Sequence, residues 1–329
     1  MGYRLAVVGG GKIAESHLMA ASRMEQLQLA AIADVQPLRA EALAAHFHMK
    51  AYTDYQMMIE REKPDIAVIT LPHHLHKEAA VYCLENGAHV LLEKPMALTA
   101  AECDEIIDAA RLHSRAVLVG HTQHYMAENR KAKELIDSGV LGQLVMVNDT
   151  RHLSYFSDDR PGWFFEKAKS GGGIIANLGS HSIDKIQWLS GGAITKVRAN
   201  LSYHGARGDV EGSGIMFLEN EHGVPATVTQ SGYIGAPRNE TELIFTHGML
   251  RLNTGQGLWL SEGGEYRRVN VGEQQDPFRL QFLDLLRTVE TNSEPQCSMT
   301  YSRSIVHVLE HIYRSAQSGK QLDVVKHVN

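Results

Sequence analysis

From Tyr3 to about Gly120 the chain alternates short apolar runs with longer segments whose apolar residues recur near i, i+3 and i+4. The apolar runs are Leu5 to Val8, Leu29 to Ala33, Ile66 to Leu71, Val90 to Leu92 and Val117 to Val119, and they predict buried strands. The helical patterns between them run from Ile13 to Met24, Pro37 to Phe47, Tyr55 to Glu62, Lys77 to Asn86 and Ala100 to His113. Such alternation predicts a parallel sheet joined by right-handed crossovers. After Gly120 the pattern changes. One helical stretch, Glu128 to Ser138, gives way to β-type segments at Leu144 to Ser154, Ile194 to Tyr203, Gly214 to Glu219, Ala226 to Tyr233, Glu242 to Thr246 and Leu250 to Asn253. Many alternate apolar and polar residues between turns rich in glycine and asparagine, which predicts an antiparallel sheet with one covered face. Helical patterns return at Pro277 to Thr291 and Met299 to Gln317. The expected fold is α/β, with a parallel-sheet domain over residues 1–122 and an α+β domain with a mostly antiparallel sheet over residues 123–329.

Length supports that division, since 329 residues exceed what one core usually organises. With 43% hydrophobic and 21% charged residues the chain reads as globular protein. A formal charge of −6, with no Lys/Arg block, gives no reason to expect nucleic acid. No stretch approaches the length of a bilayer span and no secretory leader opens the chain, so no membrane partner and a cytoplasmic location are expected. Cys83, Cys103 and Cys297 show no C-x-x-C spacing and read as reduced, packed thiols.

Directly after the first strand comes Gly9-Gly10-Gly11-Lys12-Ile13-Ala14, which fits G-x-G-x-x-A at the mouth of a helix. Gly9 permits a tight turn, Gly11 lets backbone amides approach a pyrophosphate, and Ala14 allows close helix-sheet contact. Asp34 follows about twenty residues later at the end of a second strand, which completes the context of a dinucleotide site. Its carboxylate would accept from ribose hydroxyls and repel a 2′-phosphate, so NAD is expected ahead of NADP. Arg39, one turn into the next helix, pulls the other way because it could bind a phosphate. His73, His74 and His76 invite a metal reading. Adjacent positions on an extended loop point apart and no cysteine or carboxylate completes a tetrahedral set, so they are expected to line the cofactor cleft, with no metal.

Glu93-Lys94-Pro95 closes the run Ala88 to Leu92 and places an ammonium group at the carboxyl edge of a buried parallel strand, where open α/β sheets bind ligands. Desolvating that charge is costly unless something uses it, which marks Lys94 for chemistry.

These residues together resemble the Gfo/Idh/MocA oxidoreductases, named for glucose-fructose oxidoreductase, inositol dehydrogenase and a rhizopine catabolism protein. The likeness spans nearly the whole chain. It rests on the glycine turn, on Leu71-Pro72-His73 through His76 where the family shows T-P-N-x-x-H, and on Glu93-Lys94-Pro95 where it shows E-K-P. It continues in Gly171-Gly172-Gly173 before Asn177-Leu178-Gly179-Ser180-His181 and Asp184, where the family shows G-G-G then D-x-G-x-H-x-x-D, and in Tyr313 to Lys320. The resemblance implies a Rossmann domain followed by an open-faced domain whose exposed sheet forms dimers or tetramers, a cis Lys94-Pro95 bond, and activity on sugars, cyclitols and related polyols. It implies dinucleotide contacts from Gly9, Gly11, Lys12, Ile13, Asp34, Arg39, Leu71, Pro72, His73, His76, Glu93, Lys94 and Gln123. It also implies that Lys94 and His181 face the nicotinamide and the substrate.

Two departures matter. The family's catalytic aspartate is Asn177 here, which can orient a hydroxyl but cannot carry a proton at neutral pH. In Gly120 to Tyr125, His124 stands where the family often has arginine, which points to an altered substrate contact. Alcohol oxidation needs a base at the hydroxyl. The expected assignment is His181 as acid/base, Lys94 as hydrogen-bond donor to the reacting oxygen, and Asn177 as orienting group. Trp163 and Tyr233 are candidate substrate contacts, with ordinary packing as their other reading, and Asp184 orients His181 or caps its helix. Two other functions stay open: an NAD-binding sensor without turnover, and a hydrolase that cleaves glycosides through transient oxidation.

Overall fold

The computed structural model describes residues 2–205 and 207–324, and the chain divides into two compact units. The first holds strands β1 (Tyr3–Val8), β2 (Leu27–Ala33), β3 (Lys50–Tyr52), β4 (Ile66–Ile69), β5 (His89–Leu92) and β6 (Val117–Val119). Between them lie helices α1 (Lys12–Ala21), α2 (Pro37–Phe47), α3 (Tyr55–Glu62), α4 (His76–Glu85) and α5 (Ala100–Leu112). All strand pairs are parallel, in the order β3-β2-β1-β4-β5-β6, so the order reverses between β1 and β4. Ligands bind at such a reversal in doubly wound sheets. Capping fixes several helix starts. The Asp54 carboxylate accepts from the amides of Gln56 and Met57, and Thr99 Oγ1 accepts from Glu102.

The second unit opens with α6 (Ala127–Asp137) and strand β7 (Leu144–His152), followed by the short α7 (Lys167–Ser170) and by α8 (Ser180–Ser190). Strands β8 (Ile194–Ser202), β9 (Ser213–Asn220), β10 (Pro225–Ser231), β11 (Arg238–Phe245), β12 (Gly248–Asn253), β13 (Gly257–Ser261) and β14 (Arg267–Arg268) then build its sheet. The order is β14-β13-β12-β11-β7-β10-β9-β8-β15, where β15 is Leu322–Asp323. Among the described residues, only the β7–β10 pair of this sheet is parallel. Alternation is plain in β9, where Gly214, Met216 and Leu218 are buried while Ile215 and Phe217 are exposed. Period two puts the first set against the core and the second on the outer face.

The chain passes from one unit to the other between Thr122 and Gln123, and Gln275–Arg303 then belongs with the first unit. A single division at 122/123 therefore misplaces α9 (Pro277–Thr291). This helix packs on α1, and Phe282, Leu285 and Leu286 join the core formed by Leu5, Val7, Leu18 and Ile32. Helix α10 (Met299–Ser318) starts in the first unit, and its residues from Ser304 on belong to the second. Among the described residues no helix is long and apolar enough to cross a membrane.

Candidate functional site

Gly9 leaves β1 with φ +100, and a Cβ there would stand 2.9 Å from the Thr70 carbonyl oxygen, so only glycine fits the turn. Thr70 Oγ1 donates to Gly9 O (2.6 Å), which ties the turn to the end of β4. The Gly10 amide donates to Asp34 Oδ2 (2.7 Å) and the Gln36 amide to Oδ1 (2.8 Å). Asp34 is thereby fixed beside the turn with lone pairs to spare. Gly11 is the N-cap of α1, and a Cβ on it would meet nothing nearer than Thr70 O at 3.9 Å. That open space over a helix amino terminus suits a pyrophosphate. Lys12 and Ile13 are exposed at the helix start, and Arg39 is exposed on α2.

Leu71 and Pro72 leave β4, and His73 lies buried in the following turn. His76 begins α4, fully buried, with its ring nitrogens 2.8 Å from Pro95 O and 2.9 Å from Leu71 O, so the neutral imidazole sits between the segments that follow β4 and β5 and donates to one of the two carbonyls. Burial pulls its pKa below the ordinary histidine value, against both carbonyls and Glu93. Glu93 sits at the end of β5, 8% exposed. Its Oε1 lies 2.8 Å from His17 Nε2, and its Oε2 accepts the Lys94 amide (3.2 Å). Burial pushes this carboxyl up, but the His17 hydrogen bond and charge, with Lys94, hold it below the ordinary glutamate value. The Lys94-Pro95 peptide is cis and the Lys94 side chain is partly exposed.

In the second unit, a π-turn over Ile175–Gly179 carries Asn177 and runs straight into α8, whose first turn carries His181. Single π-turns inside helices are frequent at functional sites. Glu211 caps the approach: its Oε1 accepts from the amides of Gly173 (2.8 Å) and Ile175 (2.9 Å) and from Tyr313 Oη (2.9 Å). Burial raises the Glu211 carboxyl against those donors. A Cβ on Gly173 would come within 2.1 Å of Glu211 O, which is why this position is glycine. Gln123 Nε2 donates to His181 O (3.4 Å), and His124 Nε2 lies 2.6 Å from Asp184 Oδ1, both side chains being almost fully buried. The His124 ring also stacks on Trp188 at 4.2 Å. Asp184 is thus engaged by His124, and the short turn at 122–125 braces the start of α8.

Trp163 stacks on Phe164 at 3.7 Å, and Tyr233 stacks on Phe156 at 6.0 Å while its hydroxyl accepts the His204 amide (2.9 Å). The structure thus groups the glycine turn, Asp34, Leu71 to His76 and Glu93-Lys94 in the first unit. Gln123, His124, Asn177 and His181 fall together in the second. Sequence reasoning missed His17 and Glu211. A histidine on the buried stripe of α1, three residues past Ala14, was the one available signal for the first. All three cysteines are buried, and burial pushes the Cys83 thiol up to about 12.

Comparison with known proteins places the chain in a family. Residues 3–121 match a family model described as "Oxidoreductase family, NAD-binding Rossmann fold", and residues 129–251 match the "GFO/IDH/MocA C-terminal domain". A 1-carboxy-3-chloro-3,4-dihydroxycyclohexa-1,5-diene dehydrogenase of Comamonas testosteroni is 31% identical over 70% of this chain and 58% of its own. The D-glucoside 3-dehydrogenase of Escherichia coli is 30% identical over 57% of this chain and 54% of its own. The chain thus spans less than two thirds of the length of these curated relatives. Among solved structures, GenD2 from gentamicin A biosynthesis, in complex with NAD, superposes with a TM-score of 0.88 over 99% of this chain and 97% of that one, at 23% identity. With residues 3–121 and 129–251 matched by that family's two domain models, the protein belongs to the Gfo/Idh/MocA oxidoreductases.

Proposed function

We propose that the protein is an NAD-dependent oxidoreductase that moves a hydride between the cofactor and a secondary alcohol or ketone of a sugar, cyclitol or related polyol. The observation that carries this reading is the glycine turn locked onto Asp34, with open space left over Gly11. Asp34 holds the ribose hydroxyls and disfavours a 2′-phosphate, and the amides at the start of α1 receive the pyrophosphate. When bound, the nicotinamide supplies the hydride acceptor or donor. Lys94 donates a hydrogen bond to the reacting oxygen and offsets charge developing on it. His181 takes the hydroxyl proton as general base and returns it in the reverse direction. Asn177 orients the hydroxyl without exchanging a proton. The names of the two curated relatives, a cyclic diol dehydrogenase and a glucoside dehydrogenase, support the substrate class.

Purified protein incubated with NAD and a panel of polyols, followed by absorbance of the reduced cofactor, tests the proposal. Lys94→Met should lower kcat at least 100-fold while the Kd for NAD changes less than threefold. An equal loss in both would reduce Lys94 to a cofactor contact. We further propose cytoplasmic action and self-association through the outer face of the large sheet, where Ile215 is 65% and Phe217 38% exposed. Ile215→Glu should shift the species seen by light scattering toward monomer.

A further inference from the structure

Strand β7 places two charged side chains in succession on the face that α8 covers. The first, Asp149, is 2% exposed and already held by three donors: Ser182 Oγ donates to Oδ2 (2.5 Å), Thr241 Oγ1 donates to Oδ1 (2.5 Å), and Lys185 Nζ lies 3.3 Å from Oδ1. Lys185, also buried, donates to Thr241 Oγ1 at 2.7 Å. Both charges of this pair are therefore used internally. The other carboxylate acting on Lys185, that of Asp184, is held by His124 at 2.6 Å.

The second charge, Arg151, follows Asp149 by two residues and shares its face by the period of a strand. Its register partners are Gln230 on β10 and Asn239 on β11. Gln230 Nε2 donates to Ser182 Oγ (2.9 Å), so this stretch of sheet lies beneath the first turn of α8, beside His181. The Arg151 guanidinium makes no hydrogen bond to a described residue, yet the side chain is only partly accessible. Burial lowers its pKa, and the attraction of Asp149 does not reverse that. Five fixed N–H donors are thus presented in a partly dehydrated place where the carboxylate acting on them, that of Asp149, is turned to Ser182, Thr241 and Lys185 and makes no hydrogen bond to the guanidinium.

We infer that Arg151 receives a carboxylate of the substrate, so that the preferred substrates are polyhydroxy acids such as uronates and aldonates rather than neutral sugars. This rests on the dehydrogenase reading above and narrows its substrate class. A planar carboxylate matches the guanidinium fork with two parallel hydrogen bonds and one compensating charge. A phosphate dianion would call for a second cation, and Lys185 is already committed.

The test compares matched pairs, D-glucuronate with D-glucose and D-gluconate with D-sorbitol, in NAD reduction by the wild-type protein and by Arg151→Gln. A charged hydrogen-bonded pair of this kind is worth about 10- to 100-fold. The acid of each pair should therefore show the higher kcat/KM by about that factor, and R151Q should bring the ratio to within about threefold. Equal or better use of the neutral members, or an acid preference that survives R151Q, overturns the inference. A second arm titrates glucuronate and glucose into the wild-type protein by calorimetry, with and without NADH. Binding of the acid alone supports the inference; no difference between the two overturns it, whether or not R151Q folds. Turnover of neutral polyols alone would leave the dehydrogenase reading standing and sink only this one. No cofactor reduction with any compound would sink the dehydrogenase reading, and calorimetry would then decide the role of Arg151.

Discussion

Replacing His17 with leucine should expose how much the buried His17–Glu93 pair does for the parallel-sheet unit. The imidazole is 0% exposed, its Nε2 lies 2.8 Å from Glu93 Oε1, and the ring edges meet Phe278 and Phe282 at 5.0 and 5.9 Å. Leucine fills similar space, so the loss is the hydrogen bond to a carboxylate, about 1.5–3 kcal/mol, plus part of the cost of leaving a buried charge without its partner. A destabilisation of about 2–4 kcal/mol at pH 7.5 follows. The sign with pH is fixed by Glu93. Its folded pKa is depressed, so its contribution is complete above the unfolded value of about 4.3 and is lost as pH falls through the folded value. In His17→Leu the upward push of burial loses its main opponent, and the carboxyl takes up a proton at higher pH, which relieves the buried charge. The gap between the two proteins should thus be widest near neutrality and narrow as pH drops from about 6 to 4. Urea unfolding followed by far-ultraviolet circular dichroism at several pH values measures it, and His17→Gln, which keeps a donor, should recover part of the loss. A gap under about 1 kcal/mol at pH 7.5, or one independent of pH, would refute the reasoning.

Three other outcomes are expected. Gly9→Ala should cost about 1–3 kcal/mol, since the new Cβ meets Thr70 O at 2.9 Å from a backbone with φ +100, and should weaken NAD binding at least tenfold by fluorescence titration. Asp34→Ala should weaken NAD about tenfold and bring NADP affinity closer to it, read by titrating both cofactors. Glu211→Gln should equal or exceed wild-type stability at pH 8, because a raised carboxyl stabilises the folded state at low pH and gives that contribution up as pH rises from its unfolded to its folded value. That advantage should vanish below about pH 4.5 in urea titrations, whereas Glu211→Leu should cost about 3 kcal/mol by stranding two amides and the Tyr313 hydroxyl.

Features governed by local rules were readable in the sequence. Helices α2, α3 and α9 begin and end at the residues their periodicity and caps indicate, with Asp54 and Asp276 as side-chain caps. The glycine turn, Asp34 and Glu93-Lys94-Pro95 stand at the ends of β1, β2 and β5. Three-residue β3 is too short for a pattern, and β13 lies among turn residues that mask it. The extent of helix α8, of which the sequence suggested only the turn around His181, was hidden for a different reason. Ser182, Asp184, Lys185 and Gln187 are all buried, so polar residues fill positions where an apolar stripe would announce a covered face. Glu211 escaped notice in the same way, because its partners Gly173 and Ile175 lie more than 30 residues away. The return of α9 follows from Phe282 and Leu285 matching a gap beside α1, which hydropathy alone cannot address.

That return sets an order of events during biosynthesis. When residue 122 has been made, all six strands of the parallel sheet exist, yet the flank of α1 that will meet Phe282 and Leu285 is still bare. About 150 residues, including almost all of the second sheet, must be translated before α9 arrives to cover it. Nascent chains stalled before Pro277 should therefore display that flank to chaperones and proteases, and a stop codon there would cripple the amino-terminal unit although it removes none of that unit's strands.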